Sequence, residues 1–138
     1  MSRGKGGRMK VEHRSPDGQV RAKRRVLVVD DHPGFRSCAS ELLQAEGFEV
    51  VGEAEDGSSA LALAAELKPE LVLLDVQLPD LDGFEVAERL LAVNPELAIV
   101  LVSSRDRSSY GPLVEHSGAR GFVSKSDLSV ESIERLLV

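Results

Sequence analysis

The chain has a single cysteine, Cys38, which excludes an internal disulfide and any zinc cluster built on cysteine. Its three histidines, His13, His32 and His116, fall at no paired metal-ligand spacing. No apolar run approaches the ~20 residues that cross a bilayer. The N-terminal stretch also lacks the apolar core of a secretory signal, so the cytoplasm is the expected compartment and no membrane partner is expected. What is present suits one globular domain: 138 residues, 42% apolar and 29% charged.

Charge is unevenly spread. Residues 1–25 hold nine Lys and Arg against Glu12 and Asp17, a net +7, whereas residues 26–138 hold 8 basic and 21 acidic residues, a net −13. Such a split separates a tail from a folded body. Up to Lys23 there is no apolar periodicity, and Gly4, Gly6, Gly7, Pro16 and Gly18 punctuate the stretch. Too little apolar surface is available there to offset the entropy of ordering. A disordered basic tail over residues 1–24 and one domain over residues 25–138 are expected. The acidic body argues against direct nucleic-acid binding by that domain, since phosphate contacts need cationic surface.

From Val26 onward, short β-branched or leucine-rich runs alternate with helical patterns. Val26–Val29, Glu49–Ala54, Leu71–Leu74, Ala98–Val102 and Gly121–Val123 read as strands. Between them, a helix runs from Pro33 toward Gly47 with Phe35, Cys38, Leu42 and Leu43 at helical spacing. Cys38 is therefore expected in the core. A second helix is expected over Ser59–Leu67 with Ser58 before it, and a third over Gly83 to about Val93. Gly111 and Pro112 make the segment Ser108–Ser117 a poor helix. Ser129–Val138 has Val130, Ile133, Leu136 and Leu137 on one stripe and closes the pattern. Five strand–helix units imply an α/β fold, with a doubly wound parallel sheet covered by helices on both faces. Functional sites in such sheets lie at the carboxyl ends of the strands.

At those ends stand Asp30 and Asp31, Asp75, Ser103 and Lys125. Three carboxylates brought together repel one another, and a hard divalent cation such as Mg2+ relieves the conflict. Lys125 adds a compact positive charge suited to phosphate, and Ser103 a rotatable hydroxyl. The set suits receipt of a phosphoryl group, with Asp75 as the nucleophile. Each residue taken singly has a simpler role: Asp30 and Asp31 as helix caps, Asp75 as the start of a turn, Lys125 as a solvated charge.

The sequence Val28-Val29-Asp30-Asp31-His32-Pro33, the loop Leu74-Asp75-Val76-Gln77-Leu78-Pro79 with Asp82-Gly83, the pair Ser103-Ser104 and the run Gly121-Phe122-Val123-Ser124-Lys125 together resemble response-regulator receiver domains. The detailed flavour is similar to receivers that precede helix-turn-helix output domains. The resemblance spans about Arg25 to Val138. It implies a CheY-like, flavodoxin-like (βα)5 fold of strand order 2-1-3-4-5. It further implies Mg2+ held by Asp31, Asp75 and the carbonyl of Gln77, with Asp30 acting directly or through water. Asp75 would accept the phosphoryl group from a sensor histidine kinase or a histidine phosphotransfer protein, and Ser103 and Lys125 would bind its oxygens. The implied product is a phosphoacceptor switch and not a metabolic enzyme, with slow self-catalysed phosphorylation and dephosphorylation at most. It would act through its helix 4–strand 5–helix 5 face on a second copy or a downstream protein.

A stand-alone receiver, or one excised from a longer regulator, is expected. A phosphorylation-independent interaction domain of the same fold is the main alternative. A haloacid-dehalogenase-type phosphatase fits less well, since it would carry Asp-x-Asp at the end of strand one. Ser126 stands where the family usually has proline. Phe122 takes the place of the family's switch aromatic and is expected to rotate inward as Ser103 moves toward the phosphoryl group. Gln77 and Arg105 are expected to tune hydrolysis, and His32 to serve helix entry more than metal binding.

Overall fold

A computed structural model describes residues 24–138; the expected basic tail lies outside the described residues apart from Arg24. The elements alternate as β1 (Arg25–Val29), α1 (Pro33–Ala45), β2 (Glu49–Ala54), α2 (Gly57–Leu67), β3 (Leu71–Asp75), α3 (Gly83–Val93), β4 (Ala98–Ser103), α4 (Leu113–His116), β5 (Gly121–Ser124) and α5 (Val130–Leu137). Short 3-10 turns occupy Arg107–Ser109 and Lys125–Asp127. All neighbouring strands pair in parallel, in the order β2-β1-β3-β4-β5. This is the expected doubly wound sheet. Among the described residues, no helix is long and apolar enough to cross a membrane.

Strict alternation along each strand divides the core in two. Leu27, Val29, Val72, Leu74, Ile99 and Leu101 face α2, α3 and α4 with Val86, Leu90 and Val114. Val26, Val28, Leu71, Leu73, Val100 and Val102 face the other way, onto Leu43 of α1 and Ile133 of α5. Both faces are buried, so β1, β3 and β4 read as continuous apolar runs. The edge strand β2 keeps Glu49 and Glu53.

Local chemistry sets the helix boundaries. Gly47, with φ +95°, follows α1; its N–H donates to the Gln44 carbonyl, and that of Phe48 to the Leu43 carbonyl. That pair of bonds closes the helix in a Schellman arrangement. Asp82 caps α3 by accepting the Glu85 N–H, and Ser129 and Ser132 form a reciprocal capping box at α5.

Two expectations need correction, and one simpler alternative falls away. Asp56 caps α2, accepting the Ser59 N–H, so the helix begins at Gly57 and Ser58 lies inside it. Neither Asp30 nor Asp31 caps α1; His32 stands at the cap position and no side chain fills that role. Cys38 is exposed. The stripe of α1 that meets the sheet runs through Phe35, Ala39 and Leu43, four residues apart, and Cys38 sits one residue, about 100°, away from it.

Gly83 decides how closely α3 approaches the sheet. A Cβ there would stand 2.5 Å from the Asp75 carbonyl oxygen and 2.7 Å from the Val76 Cα. Only glycine lets the helix start against the end of β3.

Candidate functional site

The carboxyl ends of β1, β3, β4 and β5 meet at one rim of the sheet and bring Asp30, Asp75, Ser103 and Lys125 with them; Asp31 follows β1 directly, and Lys125 begins the turn after β5. Asp30 and Ser103 are fully buried and Asp75 is 2% exposed, whereas Asp31 is partly open. Donor atoms of Asp30, Asp31, His32 and Asp75 all lie within 4.8 Å of one another.

Lys125 holds the cluster together electrostatically. Its Nζ is 2.6 Å from Asp30 Oδ2 and 3.5 Å from Asp75 Oδ2. Its ammonium also lies over the Phe35 ring, 4.5 Å from the centroid. One ammonium cannot neutralise two buried carboxylates. Burial first, and the negative charge of Asp30 second, push the Asp75 carboxyl up to about 6, against the pull of the Gln77 N–H and Lys125. Above that pH Asp75 is an ionised, poorly solvated carboxylate.

The donor set fits a hard divalent cation. Asp30 Oδ2 is met by the Lys125 ammonium and Asp31 Oδ1 by the His32 ring alone, which leaves three clustered carboxylates with a single fixed cation among them, and buried carboxylates are costly without enough positive charge. Three carboxylates at one open rim match the oxygen-rich, partly hydrated coordination that Mg2+ takes. His32 lies closer than expected: Nδ1 is 3.1 Å from both Asp30 Oδ1 and Asp31 Oδ1, while the ring stays largely exposed.

The loop after β3 is tied down at both ends. The Gln77 N–H donates to Asp75 Oδ1 (3.1 Å), Gln77 bridges to Asp82, and the Gly83 N–H donates to the Val76 carbonyl. Asp80 fixes its middle, accepting the N–H groups of Gly57 and Ser58 at 2.7 and 2.9 Å and the Ser58 hydroxyl. Those donors hold the Asp80 carboxyl down at about 2, the Gly57 N–H foremost. The sequence reading passed over Asp80, since an aspartate after proline in a loop carries no sign of the helix it binds. Arg36 was also passed over; its Nη1 donates to the Asp30 carbonyl at 2.6 Å while its Nε meets Glu53.

Ser103 is engaged by the segment that follows β4. Its Oγ lies 2.7 Å from the Tyr110 hydroxyl and accepts the Arg105 N–H at 3.0 Å. The Tyr110 ring sits between Phe84 and Phe122, with centroid distances of 5.5 and 5.7 Å. Gln77 and Arg105 have exposed side chains flanking the rim.

The model of the response regulator receiver domain matches residues 26–136. The chain belongs to the response regulator receiver family. Among relatives, it is 40% identical over 103 residues to BvgA of Bordetella pertussis, covering 75% of this chain and 49% of that protein. It is 38% identical over 102 residues to the response regulator GacA of Pseudomonas aeruginosa, covering 73% and 48%. This receiver therefore spans about half the length of those relatives. Among solved structures, it is similar to a LuxR-family two-component response regulator from an Aurantimonas species, with TM-score 0.76, 29% identity, and coverage of 83% and 85%. These likenesses support a two-component receiver and not the phosphatase alternative. Acidic residues for Mg2+ are a property of the family, and Asp30, Asp31 and Asp75 are the acidic cluster of this receiver.

Proposed function

We propose that this receiver accepts a phosphoryl group on Asp75 from a histidine kinase or histidine phosphotransfer protein and passes the change to a partner through the α4–β5–α5 face. In the transfer, a carboxylate oxygen of Asp75 forms the new P–O bond as the donor's P–N bond breaks, and the electron pair leaves with the imidazole. The observation that carries this reading is the position of Lys125, 2.6 Å from Asp30 and 3.5 Å from Asp75. A lysine shared between two buried carboxylates is poised to pair with phosphoryl oxygens instead, because a compact ammonium re-aims easily.

Asp30, Asp31, Asp75 and the Gln77 carbonyl are the proposed Mg2+ ligands; the bound ion would offset phosphate charge at the rim. The remaining work falls to the protein. The Gln77 N–H orients Asp75, Asp80 keeps the loop in place, and Lys125 and the Ser103 hydroxyl meet the incoming oxygens. The exposed Gln77 and Arg105 side chains stand where they can shield the acyl phosphate from water, which sets its lifetime. The cytoplasm is the proposed setting, where ATP-fed kinases supply phosphohistidine.

The test is phosphorylation by acetyl phosphate with Mg2+, read by intact mass. Wild type should gain one phosphoryl mass and Asp75→Asn none. An equal gain in the variant, or no gain in wild type, refutes the assignment.

A further inference from the structure

The hydroxyl assigned to the phosphoryl group is already occupied. Ser103 Oγ is fully buried, accepts the Arg105 N–H, and lies 2.7 Å from the Tyr110 hydroxyl. A serine hydroxyl has one proton and two lone pairs. With one lone pair on Arg105, the Tyr110 phenol takes either the proton or the second lone pair. In both cases the serine oxygen is held toward Tyr110. Where Ser103 gives its proton to the phenol, it must give up that contact to donate to a phosphoryl oxygen; where the phenol donates, the contact still restrains the oxygen against moving toward one.

Tyr110 can release it at modest cost. It is half-buried and lies just after the 3-10 turn, in a segment whose only α-helical stretch is the four residues of α4. Its hydroxyl can turn to water, whereas the ring is gripped from both sides, by Phe84 of α3 and Phe122 of β5. The same residue lines the open groove beside Gln77, Leu78 and Leu113.

We infer that Tyr110 is a positioning residue of this site: its phenol holds the Ser103 hydroxyl away from the phosphoryl position, and phosphorylation trades that bond for one to phosphate, freeing Tyr110 within its Phe84–Phe122 clamp. The inference rests on Asp75 being the phosphoacceptor. It moves the phenolic partner of Ser103 from β5, where Phe122 has no hydroxyl, to the segment before α4. It also makes Ser103 a two-position group, with Tyr110 setting the balance between the positions.

The chain offers a clean reporter, since Tyr110 is its one tyrosine and it has no tryptophan. Tyrosine emission from the full chain is emission from this site. On treatment with acetyl phosphate and Mg2+, emission should shift in step with the fraction of protein carrying the phosphoryl mass. Tyr110→Phe keeps the ring and removes only the hydroxyl. It should phosphorylate roughly two- to tenfold faster than wild type, the equivalent of one neutral hydrogen bond no longer lost. In a Ser103→Ala background the same Tyr110→Phe change should leave the rate unaltered, which separates the hydroxyl pair from general packing.

Each result is decisive. A mass gain on Asp75 with unchanged emission and an unchanged Tyr110→Phe rate overturns the role of Tyr110 alone. So does an equal acceleration with and without the Ser103 hydroxyl. No mass gain on wild type overturns the phosphoacceptor reading and this inference with it.

Discussion

The two halves of the sheet are built to different standards. Around β2, β1 and β3, the helices run 13, 11 and 11 residues, α2 and α3 are capped by aspartates, and the β3–α3 loop is pinned by Asp80. Around β4 and β5, α4 is a single turn of four residues, α5 has eight, and 3-10 turns fill the gaps. The carboxylates belong to the first half, and the groups that answer them, Ser103 and Lys125, to the second. In the proposed function a phosphoryl group would be received in fixed geometry, which costs least where the frame is stiff. Its arrival would move something, which costs least where few backbone bonds resist.

Lys125 joins the halves, so its removal should have the largest effect. Lys125→Ala leaves Asp30 buried without its cation, and a loss of about 3 kcal/mol is expected. Denaturant unfolding checks this. Added Mg2+ should restore part of the loss, and a variant as stable as wild type would mean the two halves do not depend on that charge.

Next in size is the mobility contrast itself. Amide hydrogen exchange should be about 10- to 100-fold faster in residues 107–117 than in α3, because short turns open without global unfolding. Equal protection in the two segments would erase the distinction.

The smallest effect concerns strain stored in the stiff half. Asp75 is raised to about 6 in the fold from an ordinary 3.8, so the folded state binds more protons than the unfolded state between those values. Stability falls as pH rises through that window, and the full penalty stands above about 6. Asp75→Asn removes it. Without divalent cation the variant should be more stable by about 1–2 kcal/mol at pH 7.5, after allowance for solvent screening, with the gain fading by pH 4. Thermal unfolding at both pH values measures it.

Much of this was legible because a doubly wound sheet writes itself plainly. Each central strand is a short apolar run buried on both faces, and the first polar residue after it marks the functional rim. Asp30 and Asp75 could thus be placed at the rim from spacing alone, and Lys125 one residue past the first polar position after the fifth strand. Choices settled by tertiary contact could not. Asp56 and Ser58 are both good caps, and Asp80, 22 residues beyond Ser58, helps decide between them by taking the Gly57 and Ser58 amides for itself. In α1, two overlapping stripes compete, and packing of Phe35, Ala39 and Leu43 against the sheet leaves Cys38 outward. Tyr110 lies in a breaker-rich stretch with no periodicity, so nothing local announces that its hydroxyl meets Ser103.

Gly83 carries one consequence more. Because α3 abuts the Asp75 carbonyl with no side chain as a cushion, a displacement of that strand tip has nothing soft to absorb it. A shift of the strand tip would therefore carry the start of the helix with it. The very next side chain along that helix is Phe84, whose ring bears on Tyr110. A nudge at the carboxylate would thus reach Tyr110 through backbone and the Phe84 ring as well as through the serine hydroxyl, and the two routes would end on the same residue.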